Sequence, residues 1–190
     1  MSPRNADPRI HPVDPPYDPE VAIDLEKLMP PGIEPLKIFR TLANHPRLLR
    51  KFRVGAPAFF QSAVLDARDR ELVIHRVCAR CGAEYEWGVH VTVFARPMGF
   101  DDAWIRATVH GTADDPAWSA REALLVRFVD ALHETADVPD EIWQAMTKQW
   151  NTEQLVELIL LVGQYHLISF LANATRMALE DAGERFPSRA

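Results

Sequence analysis

The chain has 190 residues, 47% of them hydrophobic, and 21 Lys and Arg against 27 Asp and Glu give a net charge of −6. That length and apolar content suit one domain around one core. Scattered basic residues in an acidic chain leave no footprint for nucleic acid, two cysteines build no disulfide framework, and Met1 to Asp24 lack the apolar stretch of a signal peptide, so the reading is a cytoplasmic protein with no membrane role.

Residues 1–19 are dense in proline and carry no period, which predicts an extended arm, loose unless something holds it. From residue 20 to 185 the chain reads as one helical domain, with 186–190 as a C-terminal tail. Short helices punctuated by proline are predicted at Glu20–Met29, Leu36–Ala43, Pro46–Val54 and Ala56–Val64. Leu65 and Asp66 then supply an apolar residue and an N-cap for a helix to about Ala79, which Gly82 ends. A second helix runs from Glu84 to about Ala95, since Arg96 precedes Pro97 and is pushed out of the helical region. Asp101 or Asp102 caps a short helix, Ser119 to Glu122 form a capping box for a helix to about Glu134, and Pro139 opens another to about Gln149. Asn151 or Thr152 caps the last and longest helix, whose run through Ala174 is apolar on more than one face and is expected to be a central helix, with a subunit interface as its further use. No stretch alternates as a strand does, so the fold class is all-α.

Chemistry concentrates between Glu71 and His90. Leu72, Val73, Ile74, Val77 and Cys78 gather on one side of the first helix of the pair, with Glu71 at the edge, expected to be half-buried. Glu86 and His90 stand four apart and meet, beside Trp87, Val91 and Phe94. If the helices fold back across Gly82, Glu71, Glu86 and His90 converge in one pocket, where burial and mutual charge push their pKa values apart, a cluster suited to proton transfer. The ordinary structural reading beside this is a local hydrogen bond that satisfies a half-buried histidine. Cys78 and Cys81 are read as redox cysteines, half of a metal site or packing residues. Zinc held by Cys78, Cys81 and His90 with Glu71 or His75 is a weak signal. Core packing accounts for Trp87 and competes with substrate contact for Tyr85. His75 is assigned to a helix edge with its ring reaching the surface, and His133 to a structural place.

The run Arg68-Asp69-Arg70-Glu71-Leu72-Val73-Ile74, followed by Glu84-Tyr85-Glu86-Trp87-Gly88-Val89-His90, resembles the carboxymuconolactone decarboxylase and AhpD-like family, and Ser119 to Leu125, Asp130 to His133, Trp143 and Glu157 to His166 extend the likeness over roughly Leu36 to Asp181. The resemblance implies an all-α AhpD-like bundle that assembles as a homo-oligomer, a trimer or a hexamer. The redox branch of that family carries Glu, eleven residues, Cys, two residues, Cys, three residues, His. In register on Glu71 and His90, those cysteine positions hold Ala83 and Glu86, and Cys78 and Cys81 lie five residues upstream.

The resemblance therefore implies a cofactor-independent enzyme without a bound metal. Glu71, Glu86 and His90 would perform general acid–base chemistry of the decarboxylase or isomerase type on a small carboxylated or lactone-like molecule, with Tyr85 and His166 as substrate contacts. Two alternatives stay open. One is a thiol peroxidase or disulfide reductase working through Cys78 and Cys81, and the other is a non-catalytic oligomeric binding protein.

Overall fold

The computed structural model describes residues 7–55 and 64–189, and within them the chain forms helices, turns and loops with no strand. We number the helices α1 (Pro19–Glu26), α2 (Lys37–Leu42), α3 (Pro46–Gly55), α4 (Ala67–Arg80), α5 (Glu84–His90), α6 (Asp102–His110), α7 (Ala120–Thr135), α8 (Asp140–Met146) and α9 (Thr152–Thr175). The helix expected at Ala56–Val64 lies, but for Val64, outside the described residues.

Side-chain caps place most helix starts. Asp18, Asp66 and Asp101 accept from the first free N–H groups of α1, α4 and α6. Ser119 with Glu122, and Asn151 with Gln154, close reciprocal capping boxes at α7 and α9. The stop after α4 is a Schellman turn: Gly82 takes φ +65°, and the Ala83 N–H reaches back to the Cys78 carbonyl at 2.8 Å.

The hub of the fold is α4, not the final helix. Its residues from Glu71 to Cys78 are buried without a break, packed between α5, α6, α7 and α9. Helix α9 is long and apolar enough to span a membrane, yet it packs one face on α4 and α5 through Leu158, Leu161, Tyr165 and Ile168 and leaves Val156, Leu160, Leu167 and Phe170 exposed. Four helices surround α4, whereas the outer stripe of α9 stays exposed among the described residues.

Charged side chains pin α4 to α7. Arg76 meets Asp130 through two hydrogen bonds of 2.8 and 2.7 Å, and also donates to the carbonyls of Thr108 and Gly111. Asp69 accepts from Arg121 and from the Trp150 indole. Buried charges met on several sides in this way stay ionised at tolerable cost.

The described residues nearest both termini are tied down. Arg9 donates its N–H to the Thr175 carbonyl, and Arg40 holds Val13 and Asp14, so residues 7–18 lie against the body. At the other end, the segment read as a tail is docked: Phe186 stacks edge-on with Trp87 at 5.1 Å, and His110 and Arg106 donate to the carbonyls of Pro187 and Ser188. Gly88 permits this, because a Cβ there would lie 2.0 Å from the Glu184 carbonyl oxygen.

Candidate active site

The turn at Gly82 folds α5 back on α4 and brings Glu71, Glu86 and His90 together. Glu71 is fully buried rather than half-buried. Its Oε2 lies 2.9 Å from His90 Nδ1, and Arg70 Nε stands 3.6 Å from its Oε1. On the other side of the ring, His90 Nε2 is 3.0 Å from the Tyr165 hydroxyl and 3.5 Å from Glu86 Oε1. Phe94 stacks on the same imidazole with ring centres 4.9 Å apart.

The helix itself changes at this point. Val91–Ala95, expected to continue α5 as α-helix, is one π-helical turn. Such a turn inserts a residue into the helical register, and here it follows His90 directly.

A cavity of about 610 Å³ opens above the cluster. Its walls are mainly apolar, including Phe39, Phe52, Phe94 and Ile168, and its polar contributions come from Glu86, His90, Gln164 and Tyr165, with Lys27 on the exposed rim. A mostly apolar cavity with a few convergent polar groups is the usual form of a small-molecule site. Glu71 lies behind His90 and does not line it.

The electrostatics follow from this stacking of charges. Burial works against a charged His90, but the Glu71 carboxylate beside it, with Glu86 adding to the effect, raises the imidazole to about 9. Burial likewise pushes Glu71 upward, and the His90 charge overcomes it, leaving the carboxyl below its ordinary value. His90 is therefore an imidazolium at neutral pH, held between two carboxylates.

His75 differs from its expected place. It is wholly buried, its Nδ1–H donates to the Glu71 carbonyl at 2.6 Å, and its ring meets Trp87, Trp104 and His90 edge-on. Burial first, and then the neighbouring His90 charge, drop it to about 4, so it stays neutral.

The remaining candidates go elsewhere. Tyr85 donates to Glu180 at 2.5 Å and accepts from the Ile38 N–H, a clamp between α5, α2 and the C-terminal segment away from the cavity lining. His166 points away from the cavity, about a third of a turn round α9, where its Nε2 lies 3.0 Å from His133 Nδ1. Tyr165, one residue earlier, is the group that reaches His90. Its signal in the sequence is its place in the buried stripe Leu158, Leu161, Tyr165, Ile168, where it brings a hydroxyl into an apolar row.

Neither thiol is placed as an activated nucleophile. Burial pushes Cys78 well up, and the Glu86 carboxylate adds to it; burial also raises the half-buried Cys81, with Ser169 and Arg80 offsetting part of the effect. The ligand set considered for zinc, Cys78, Cys81 and His90, is not gathered around one point; the group that is gathered combines Cys81 with His133 and His166.

The model of the carboxymuconolactone decarboxylase family matches residues 48–129, which span α3 to most of α7 and so contain Glu71, Glu86 and His90. Over those residues the chain is similar to the carboxymuconolactone decarboxylase family. The AhpD-like bundle expected for the family is also found in a solved structure from Agrobacterium tumefaciens, a protein of unknown function named as a candidate antioxidant defence protein AhpD. It superposes with a TM-score of 0.66 at 20% identity, covering 73% of this chain and 94% of the other. No curated protein matches the chain.

Proposed function

We propose that this chain is a cofactor-independent enzyme that moves a proton at a carbon atom of a small carboxylated or lactone-like molecule, in a reaction of the decarboxylase or isomerase type. The observation that carries the reading is the Glu71–His90–Glu86 array, with Tyr165, at the floor of an apolar cavity.

Glu86 lines the cavity, and its buried Oε2 has no hydrogen-bond partner among the described residues, which leaves an acceptor open to the substrate. In an isomerisation Glu86 takes a proton from the carbon next to the substrate carbonyl and gives it back to carbon at another position when the enolate collapses. Protonated His90 gives its Nε2–H to the Tyr165 oxygen, which leaves the phenol proton to steady the negative charge developing on the substrate oxygen. In a decarboxylation the carbon–carboxylate bond breaks instead, carbon dioxide departs, the electron pair enters the same enolate, and His90 turns its Nε2–H from Tyr165 to the carbon and is recharged by a proton from solvent. Glu71 acts through His90 by keeping the ring charged and in one orientation. Apolar walls exclude water, which disfavours a bound carboxylate and favours its loss, and Lys27 at the rim complements an anionic substrate on entry.

The redox alternative through Cys78 and Cys81 has less behind it, because both thiols are shifted away from the thiolate. The binding-protein alternative shares the cavity but needs no proton transfer. One experiment separates the three: incubation with a panel of lactone carboxylates and β-keto acids in heavy water, reading deuterium at carbon by proton NMR and release of carbon dioxide, alongside a hydroperoxide consumption assay. Turnover that falls about 10²–10⁴-fold in Glu86→Gln and in His90→Gln supports the reading. Wild-type protein that neither exchanges nor decarboxylates any of the panel, or peroxide consumption abolished by Cys81→Ser, overturns it.

A further inference from the structure

On the face of α9 turned away from the cavity, three potential metal ligands from three separate elements converge. Cys81 caps the end of α4, His133 sits in the last turns of α7, and His166 lies in the middle of α9. Cys81 Sγ is 3.9 Å from His133 Nδ1, which is 3.0 Å from His166 Nε2, and all three ligand atoms lie within 4.8 Å of one another. Around a tetrahedral ion with ordinary zinc bond lengths, the edges would be about 3.4 Å between nitrogens and about 3.6 Å from sulfur to nitrogen. The two edges of 3.0 and 3.9 Å are each within about 0.4 Å of that, and the third, no longer than 4.8 Å, exceeds it by at most about 1.2 Å.

The protonation of His166 supports the same conclusion. Its Nδ1 faces the Val162 carbonyl at 2.9 Å, and a carbonyl oxygen can only accept, so Nδ1 carries the proton and the Nε2 lone pair accepts from His133 Nδ1–H, a proton that moves to His133 Nε2 when an ion takes its place between the two rings. A histidine oriented by an outer carbonyl in this way is the usual arrangement of a metal-ligating imidazole. The rings of His133 and His166 stack at 5.2 Å, and Asn173 anchors the Cys81 carbonyl at 2.8 Å, so the ligands come from braced positions. The nearby cation, Arg80, is met by Glu134 at 2.5 Å and by Asp130 at 3.5 Å, which limits its repulsion of a second cation.

We propose that Cys81, His133 and His166 form a binding site for one divalent ion of the zinc class, with the fourth position open to water or an external ligand. Two imidazoles and one thiolate favour Zn²⁺ or Co²⁺ over the hard ions Mg²⁺ and Ca²⁺. The site is separate from the acid–base cluster: Tyr165 faces the cavity, and its neighbour His166 faces the metal position.

Cobalt titration of the full, reduced chain tests this. The expected result is one Co²⁺ per chain, with a thiolate-to-cobalt band in the near ultraviolet and the visible bands of tetrahedral coordination, both displaced by Zn²⁺. Cys81→Ser abolishes the thiolate band, and His133→Ala and His166→Ala each weaken binding by more than about a hundredfold, since loss of an outer-shell partner alone costs about 10–100-fold. Cys78→Ala leaves binding unchanged. Absence of a thiolate band in the wild-type chain, its persistence in Cys81→Ser, or unchanged affinity in both histidine variants would overturn the proposal. Should a variant fail to fold, the wild-type chain still decides: Zn²⁺ must protect Cys81 from iodoacetamide, read by mass spectrometry, and equal alkylation with and without Zn²⁺ sinks the idea.

Discussion

His90 Nδ1 lies 2.9 Å from Glu71 Oε2, and both side chains are sealed from solvent. A buried carboxylate beside a buried imidazole shares one problem with it, the cost of charge in a poorly polarisable interior. The pair resolves this by ionising together.

The first prediction concerns that coupling. Glu71→Gln removes the charge that holds His90 at about 9, so the ring should titrate well below that value, and burial then drives it towards the neutral form. Carbon-edited NMR of the His90 ring protons between pH 5 and 10 measures this directly. An unchanged midpoint in the variant would show that Glu86 alone sustains the charge.

Stability should depend on pH in two opposite senses. His90 is raised from 6.5 to about 9, so its contribution is full below 6.5 and is lost as pH climbs through 9. His75 is depressed to about 4, so burying it neutral costs nothing above 6.5, and stability is lost as pH falls from there towards 4. From this pair alone, the urea midpoint should peak near pH 6.5. His75→Phe should flatten the acid limb and leave the alkaline limb in place; parallel limbs in both proteins would contradict the assignment.

Tyr165→Phe removes a hydroxyl from the cavity floor and leaves the ring packed in the α9 stripe. Turnover should fall about tenfold to a thousandfold with little change in melting temperature, because the group is charged with steadying an anion and not with holding the fold. A purely structural tyrosine would give the reverse pattern.

Gly88→Ala sets two effects against each other. Alanine is favoured over glycine inside a helix by about 1 kcal/mol. The added Cβ, however, would stand 2.0 Å from the Glu184 carbonyl oxygen, and that is backbone. Displacing the C-terminal segment should dominate, with a net loss of about 1–3 kcal/mol and a melting temperature lower by roughly 2–12 °C. Thermal melting and Trp87 fluorescence, through its Phe186 contact, report the two parts together.

The exposed stripe of α9, with Val156, Leu160, Leu167 and Phe170 spaced three to seven residues apart, is proposed to pair with a second copy of this chain. Light scattering on the eluting protein should give a mass above the 21.5 kDa of one chain. Leu160→Glu with Phe170→Glu should reduce it to the monomer; a monomeric wild type would refute the pairing.

Much of this molecule was readable along the chain. Asp66, Ser119 and Asn151 mark helix starts because capping is a contact between near neighbours, and Gly82 marks the turn because only the left-handed backbone closes it. The spacing from Glu71 to His90 could also be read, since a turn of fixed length between two helices leaves few ways for them to face. Three features needed the tertiary structure. The depth of Glu71 and His75 depends on α6, α7 and α9 closing over α4, none of which is local to it. The choice of Tyr165 over His166 depends on the rotation of α9 about its axis, where one residue is 100° and the difference between cavity and outer face. The partners of Cys81 are 52 and 85 residues away in sequence, and only the packing of α7 and α9 beside the α4 cap brings His133 and His166 to it. Local chemistry wrote the helices and the register of the acid–base cluster; burial and long-range packing decided which polar groups meet.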